Sequence, residues 1–170
     1  EIKKIISDIP SYILNDDMDL YYKYIGKLPD ESNILDIGTG WGKSAIFLAL
    51  CNPANIIYTV DTGEYPIYQK WAKDKNDYST KILEQFNKHD ADNIRFSLFD
   101  ARNLIDTTVK FDLFHLDNES GIEEMILEKQ LPLVKNEGFL LIRNYNRFKG
   151  KVDEICRGFE YLDNIGLIQV

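Results

Sequence analysis

The run Asp36-Ile37-Gly38-Thr39-Gly40-Trp41-Gly42-Lys43-Ser44-Ala45 constrains the fold of this chain more than any other segment. Before it, Asn33-Ile34-Leu35-Asp36-Ile37 has the short, β-rich character of a buried parallel strand. After it, Ala45-Ile46-Phe47-Leu48-Ala49-Leu50 continues as a helix whose apolar side needs a sheet to pack on. Glycines at three alternate positions remove the Cβ atoms that would block a sharp turn and the close approach of a ligand to the backbone. The free N–H groups of the helix start then face that ligand. Strand, glycine turn and helix in this order predict an α/β domain with a nucleotide-type cofactor at the turn.

Two glycine-loop chemistries fit poorly. A dinucleotide loop reads G-x-G-x-x-G, whereas here the sixth place is Lys43. A P-loop needs four residues between its glycines, and the Lys43-Ser44 pair lacks that gap. What remains is an acid, Asp36, two positions before Gly38. This pattern resembles the first motif of the class I S-adenosylmethionine-dependent methyltransferases. The resemblance implies that Asp36 helps hold the methionine ammonium, directly or through water. It also lays the backbone of Gly38, Gly40 and Gly42 against the methionine end of the cofactor.

Further strand ends fall where that family has them. Ile56-Ile57-Tyr58-Thr59-Val60-Asp61 is a β-branched run ending in a carboxylate that can accept hydrogen bonds from both ribose hydroxyls. Ile94 to Asp100 alternates like a strand, and the resemblance gives Asp100 the adenine amino group, aided by the Ala101 N–H. Phe111 to Asp117 resembles the fourth strand, with Asp117 beside the transferable methyl. Gly138 to Asn144 reads as the fifth strand, and Pro132 to Gly138 as the turn before it.

Gly42-Lys43-Ser44-Ala45 points within the family to small-molecule O-methyltransferases of the catechol and macrolide sugar types, where the serine binds the cofactor carboxylate. Ser44 takes that role by resemblance, which covers roughly residues 30 to 160. Metal-dependent members use an Asp after the fourth strand and an Asp-Asn pair after the fifth to hold Mg²⁺. Asp117 and Asn144 fit two of those places, but the third is Arg143, and a guanidinium cannot ligate a metal. No metal ligand is therefore assigned. An Arg143 paired with Asp117 or Glu119 would fill the place instead. Sugar-type relatives read Asp-Gly-Asp-His after the fourth strand, whereas Asp117-Asn118-Glu119-Ser120 has no histidine. Asp117 and Glu119 are the catalytic candidates, because a nearby carboxylate can take the proton of a hydroxyl acceptor.

Plainer readings exist for the same residues. Asp36 and Ser44 could cap the helix, and Asp61, Asp100 and Asp117 could be strand-terminating turn residues. Trp41 could stack near the cofactor or cover the helix. His115, inside a strand, is read as a core residue first and as a candidate base only after Asp117 and Glu119, and His89, in a polar run, as an exposed loop residue.

The 170 residues carry a net charge of −8, with a pI of about 4.8. That balance argues against a nucleic-acid substrate, which needs clustered Lys and Arg. The basic clusters are small: Lys70 to Lys75, and Arg143, Arg147, Lys149 and Lys151. No Asn/Asp-Pro-Pro-aromatic motif, the mark of amino methylation on bases, follows the fourth strand. Cys51 and Cys156 lack metal spacing and read as free thiols of a reducing compartment. No apolar run approaches the roughly 20 residues of a membrane span. A cytoplasmic protein is expected, with a small-molecule acceptor, no membrane partner and a homodimer left open.

Residues 1–28 form an N-terminal helical segment broken at Pro10, with Tyr21, Tyr22 and Tyr24 packing on the sheet or lining the acceptor pocket. Residues 29–170 form the cofactor domain. Gly63 to Asn93 reads as one helix or two, Val152 to Tyr161 as a helix, and Gly166 to Val170 as one last strand. The family ends in two, so a sheet shortened at its C-terminal edge is expected. The resulting expectation is a doubly wound, mostly parallel α/β domain of the Rossmann-like methyltransferase type, methylating a small molecule at oxygen with S-adenosylmethionine. A non-catalytic binding module with a decayed acceptor site is the alternative, and a nicotinamide-dependent oxidoreductase the third choice.

Overall fold

A computed structural model describes residues 1–11, 15–64, 66–117, 123–143, 145–157, 159–163 and 167–169. Five parallel strands form the centre: β1 (Asn33–Ile37), β2 (Ile56–Asp61), β3 (Ile94–Leu98), β4 (Phe111–Leu116) and β5 (Val134–Ile142). Two more, β6 (Glu160–Asp163) and β7 (Leu167–Gln169), complete a seven-stranded sheet in the order β3-β2-β1-β4-β5-β7-β6. β7 runs antiparallel to both β5 and β6. The sheet is therefore not shortened. A very short strand at Glu160–Asp163 was hidden in what reads as helical spacing, and the helix there, α6, spans Tyr145–Ile155 instead.

The chain goes from β1 out to β3 and then returns to place β4 on the other side of β1. At such a reversal the connections leave in opposite directions and open a crevice at the carboxyl ends of the strands. Both faces of the sheet are covered, which is why β1 and β4 are almost continuously buried. One face, with Ile34, Leu113 and Leu141, packs on α3 (Lys43–Cys51), α4 (Lys75–Lys88) and the N-terminal helices α1 (Ile2–Ile5) and α2 (Asn15–Ile25). The other, with Leu35, Ile37, Phe114 and Leu140, packs on α5 (Glu123–Gln130) and α6. α3 is buried along Ser44 to Ala49, as a helix apolar on all sides must be.

The stretch between β2 and β3 resolves into a 3-10 turn at Pro66–Lys70 followed by α4. Asp74 caps α4 by accepting the Asp77 N–H at 2.9 Å. His89 closes that helix and is buried, contrary to the exposed loop expected of it; the polar residues around it carry the solvent contact. β5 begins at Val134, four residues earlier than its apolar core indicates, directly after a 3-10 turn at Leu131–Leu133. A Cβ at Gly138 would stand 2.8 Å from the Lys135 carbonyl oxygen, so glycine permits this irregular entry. Cys51 and Cys156 are both free.

Leu113 lies fully buried on the central strand. Leu113→Ala is expected to lower unfolding stability by about 2–5 kcal/mol. Urea denaturation checks this, and a loss below about 1 kcal/mol would contradict a closed layer over β4.

Candidate cofactor and acceptor site

The glycine loop joins β1 to α3 at the carboxyl edge of the sheet. Gly38, Gly40 and Gly42 have φ of 99°, 59° and 87°, a region that L residues rarely enter. A Cβ on Gly42 would also come within 2.9 Å of the Phe86 ring. Gly42 caps α3 without a side-chain bond, so neither Asp36 nor Ser44 serves as the helix cap.

Asp61 ends β2 beside this loop. Its Oδ2 accepts the Gly40 N–H at 3.0 Å and its Oδ1 the Gly63 N–H at 2.8 Å. The Tyr68 hydroxyl donates to Oδ2 over a longer 3.4 Å. Burial pushes the Asp61 carboxyl above its ordinary range, while these donors pull it back. A carboxylate has about four acceptor positions, and the longest of these three bonds is the easiest to exchange for a ligand hydroxyl. Tyr78 donates to the Gly40 carbonyl at 2.7 Å and stacks on Tyr68, while Trp41 meets Tyr68 edge-on. Trp41 thus joins an aromatic wall beside the loop.

Asp36 stands below the loop. It is fully enclosed, and its carboxylate accepts from Thr59 Oγ1 at 2.7 Å and Ser44 Oγ at 3.2 Å, and meets His115 Nδ1 at 2.6 Å. Strand register explains the meeting: Asp36 lies opposite Thr59 on one side and His115 on the other. Thr59 Oγ1 is also 2.8 Å from Thr39 Oγ1, which links the carboxylate to the loop itself. His115 Nε2 is 2.8 Å from the Tyr21 hydroxyl of α2.

The carboxyl ends of β4 and β5 form the second part of the site. Arg143 Nη1 donates to Asp117 Oδ1 at 2.9 Å, and Arg143 Nε lies 3.6 Å from Asp17 of α2. Of the two acids the sequence offered Arg143, the structure thus pairs it with Asp117. Burial raises the Asp117 carboxyl above its ordinary range, opposed by the Arg143 guanidinium. Among the described residues no group of three His, Cys, Asp or Glu side chains is arranged to hold a metal. Glu119 lies outside the described residues, as do Asn118, Ser120 and Asn144.

Beyond β3, Asp100 forms an ion pair with Arg102, whose Nε donates to both carboxylate oxygens at 2.9 Å, and this pairing holds it below the usual carboxylate range. Ala101 is buried, its carbonyl accepting from Gln130 Nε2 at 2.8 Å. Gln130 also donates to the Asn103 carbonyl, fixing this loop from α5. The structure therefore gathers Asp36 with Ser44, and Gly40 with Asp61, and leaves Asp100 tied to Arg102. Sequence reasoning missed Thr59, Tyr68, Tyr78 and Gln130, and left Tyr21 between packing on the sheet and lining the acceptor pocket. Only Thr59 had a usable signal, a polar residue inside an apolar strand.

Neither a protein-family model nor a curated protein sequence matches the chain. Solved structures match it at the level of fold. A Staphylococcus aureus protein provisionally assigned as a caffeoyl-CoA O-methyltransferase superposes with a TM-score of 0.70 at 17% identity, covering 100% of this chain and 92% of that one. Precorrin-6y C5,15-methyltransferase from Geobacter metallireducens gives 0.68 at 17% identity, covering 89% and 76%. An rRNA methylase from Streptococcus thermophilus gives 0.64 at 16% identity, covering 92% and 96%. The fold is that of the class I S-adenosylmethionine-dependent methyltransferases.

Thr59→Val keeps shape but removes the hydroxyl that Asp36 and Thr39 share. Loss of about 1–3 kcal/mol of stability is expected, because a buried carboxylate oxygen loses its donor. Thermal unfolding of the two proteins checks this, and equal stability would show that the network is not coupled to folding.

Proposed function

We propose that the chain is an S-adenosylmethionine-dependent methyltransferase acting on a small molecule, at oxygen. The observation that carries this reading is the bond between the Gly40 N–H and the Asp61 carboxylate. It joins a loop of three left-handed glycines to an acid at the end of the neighbouring strand, at the point where the sheet reverses. A nucleoside lying across that crevice meets backbone N–H groups on one side and a hydroxyl acceptor on the other.

When bound, S-adenosylmethionine supplies a methyl group on a cationic sulfur, open to in-line attack. The chain's own residues bind and orient. Asp61 accepts the ribose hydroxyls, with Tyr68 giving up its long bond. Gly38, Gly40 and Gly42 allow close approach, while Asp36, beneath the loop, would help hold the methionine ammonium, directly or through water, and Ser44 the cofactor carboxylate. Asp100 and the Ala101 N–H receive the adenine, Asp100 turning from Arg102 to do so. Asp117, pinned by Arg143, stands on the acceptor side, and Glu119 follows it in sequence. Positioning of this kind supplies much of the acceleration in a displacement between two bound partners.

The charge of −8 supports a small acceptor over RNA, although an rRNA methylase shares the fold. One observation favours the non-catalytic alternative: Arg143 already occupies Asp117. Calorimetric titration with S-adenosylmethionine, S-adenosylhomocysteine and NAD, with and without Mg²⁺, tests the cofactor. Binding of the two sulfur nucleotides alone is expected, and binding of NAD alone would overturn the reading. Asp61→Ala should weaken nucleotide binding by roughly 1–3 kcal/mol, the worth of bonds to a charged acceptor. Asp117→Asn should lower turnover more than nucleotide affinity, and a wild-type rate would remove Asp117 from the chemistry.

A further inference from the structure

Tyr21, His115 and Asp36 form a line of three buried titratable side chains, of which only Asp36 has a place in the cofactor reading. The Tyr21 hydroxyl is 2.8 Å from His115 Nε2, and His115 Nδ1 is 2.6 Å from Asp36 Oδ1. His115 and Asp36 are wholly buried and Tyr21 is 3% exposed. A carboxylate only accepts, so Asp36 fixes a proton on Nδ1 and leaves the Nε2 lone pair to accept from Tyr21. Stability does not require such a trio, since apolar residues of the same volume avoid the desolvation of an acid and an imidazole.

The two ends of the line face the two halves of the site. Asp36 is bonded to Ser44 and, through Thr59, to Thr39 of the glycine loop. Tyr21 lies in the field of Asp117, Asp17 and Arg143 at the acceptor edge. His115 itself meets Asp36 of β1 and Tyr21 of α2, and the charged groups acting on Tyr21 beyond it are Asp117 after β4, Asp17 of α2 and Arg143 after β5. Burial and the two acids keep the Tyr21 phenol protonated, as a donor to Nε2 must be.

We propose that Tyr21, His115 and Asp36 are a proton relay, in which Tyr21 takes the proton of an acceptor hydroxyl as its own proton passes to His115 Nε2. This rests on the methyltransferase reading. In the step, the acceptor O–H bond breaks, the O–CH3 bond forms, and the C–S bond breaks with its electron pair left on sulfur. The proton rests on His115 as an imidazolium paired with Asp36 and returns to solvent after the products leave. Positive charge therefore vanishes at sulfur as it appears at His115, where Asp36 is its counter-charge. The relay is an alternative base to Asp117, whose basicity the Arg143 guanidinium limits.

The chain has two histidines, so ring-15N labelling gives two sets of signals, and the His89→Gln variant assigns those of His115. The apo protein should show its neutral-ring proton on Nδ1. With each nucleotide saturating, His115 should bind a proton about tenfold more tightly beside neutral S-adenosylhomocysteine than beside cationic S-adenosylmethionine, one unit of pKa. Equal titration in the two complexes, or a proton on Nε2, overturns the relay while leaving the cofactor reading intact. Unmoved Gly40 and Gly42 amides with both nucleotides overturn the cofactor reading and the relay together. With a phenolic acceptor that the wild type methylates, Tyr21→Phe and His115→Gln should each lower kcat about 10²–10⁴-fold, the usual worth of a general base. His115→Gln should also flatten the acid limb of the pH profile, because a protonated ring cannot accept. An unchanged acid limb would reduce the trio to a scaffold.

Discussion

A carboxylate with no solvent exposure at the centre of the sheet is the constraint on which the rest of the site depends. Asp36 sits on β1 between β2 and β4, and removing an anion from water costs several kcal/mol unless neighbours replace the water. Those neighbours come from three other elements: Thr59 of β2, His115 of β4 and Ser44 of α3. The carboxylate is satisfied only when all have arrived in register. A buried anion of this kind makes partial assembly expensive, since a missing partner leaves the charge uncompensated. The glycine loop begins two residues later, so its shape is anchored to the best-determined point of the sheet.

The fold was legible wherever the signal was local. Glycines at 38, 40 and 42 marked the turn because few other residues tolerate their φ values, and the apolar run from Ala45 marked a helix buried on every side. The end of β1 was legible because its run stops at Gly38, and the ends of β2 and β4 because theirs stop at an acid. What the sequence concealed was relational. Thr59 and His115 look like isolated polar residues within strands, and only parallel register shows that both face Asp36. Tyr21 is 94 residues from His115, a contact that no periodicity encodes. β7 falls within the last strand read at Gly166 to Val170, but β6 spans four residues, too few for alternation to speak, which is why the sheet read as shortened. His89 misled for another reason: its polar neighbours face water while the ring turns inward.

The two acids at the site illustrate how the same residue type is set to different work by its surroundings. Asp61 is bonded mainly by backbone N–H groups, which fix its position without adding a charged partner. It can therefore receive a neutral hydroxyl donor at little cost. Asp117 is held by a guanidinium, a full counter-charge that orients it and limits its basicity. Burial raises both carboxyls, but only Asp117 is opposed by a cationic side chain, Arg143.

Arg143 has a further consequence, because it reaches Asp17 of α2 as well as Asp117. Without the guanidinium, two carboxylates would face each other across the junction of helix and sheet, and their repulsion would push α2 away. With it, the helix that carries Tyr21 is latched to the ends of β4 and β5. Apolar packing of Met18, Tyr21, Tyr24 and Ile25 into the same core gives the latch its foundation. Docking of α2 against the ends of β4 and β5 and the contact of Tyr21 with His115 thus depend on one another, with Arg143 as the fastener between helix and sheet.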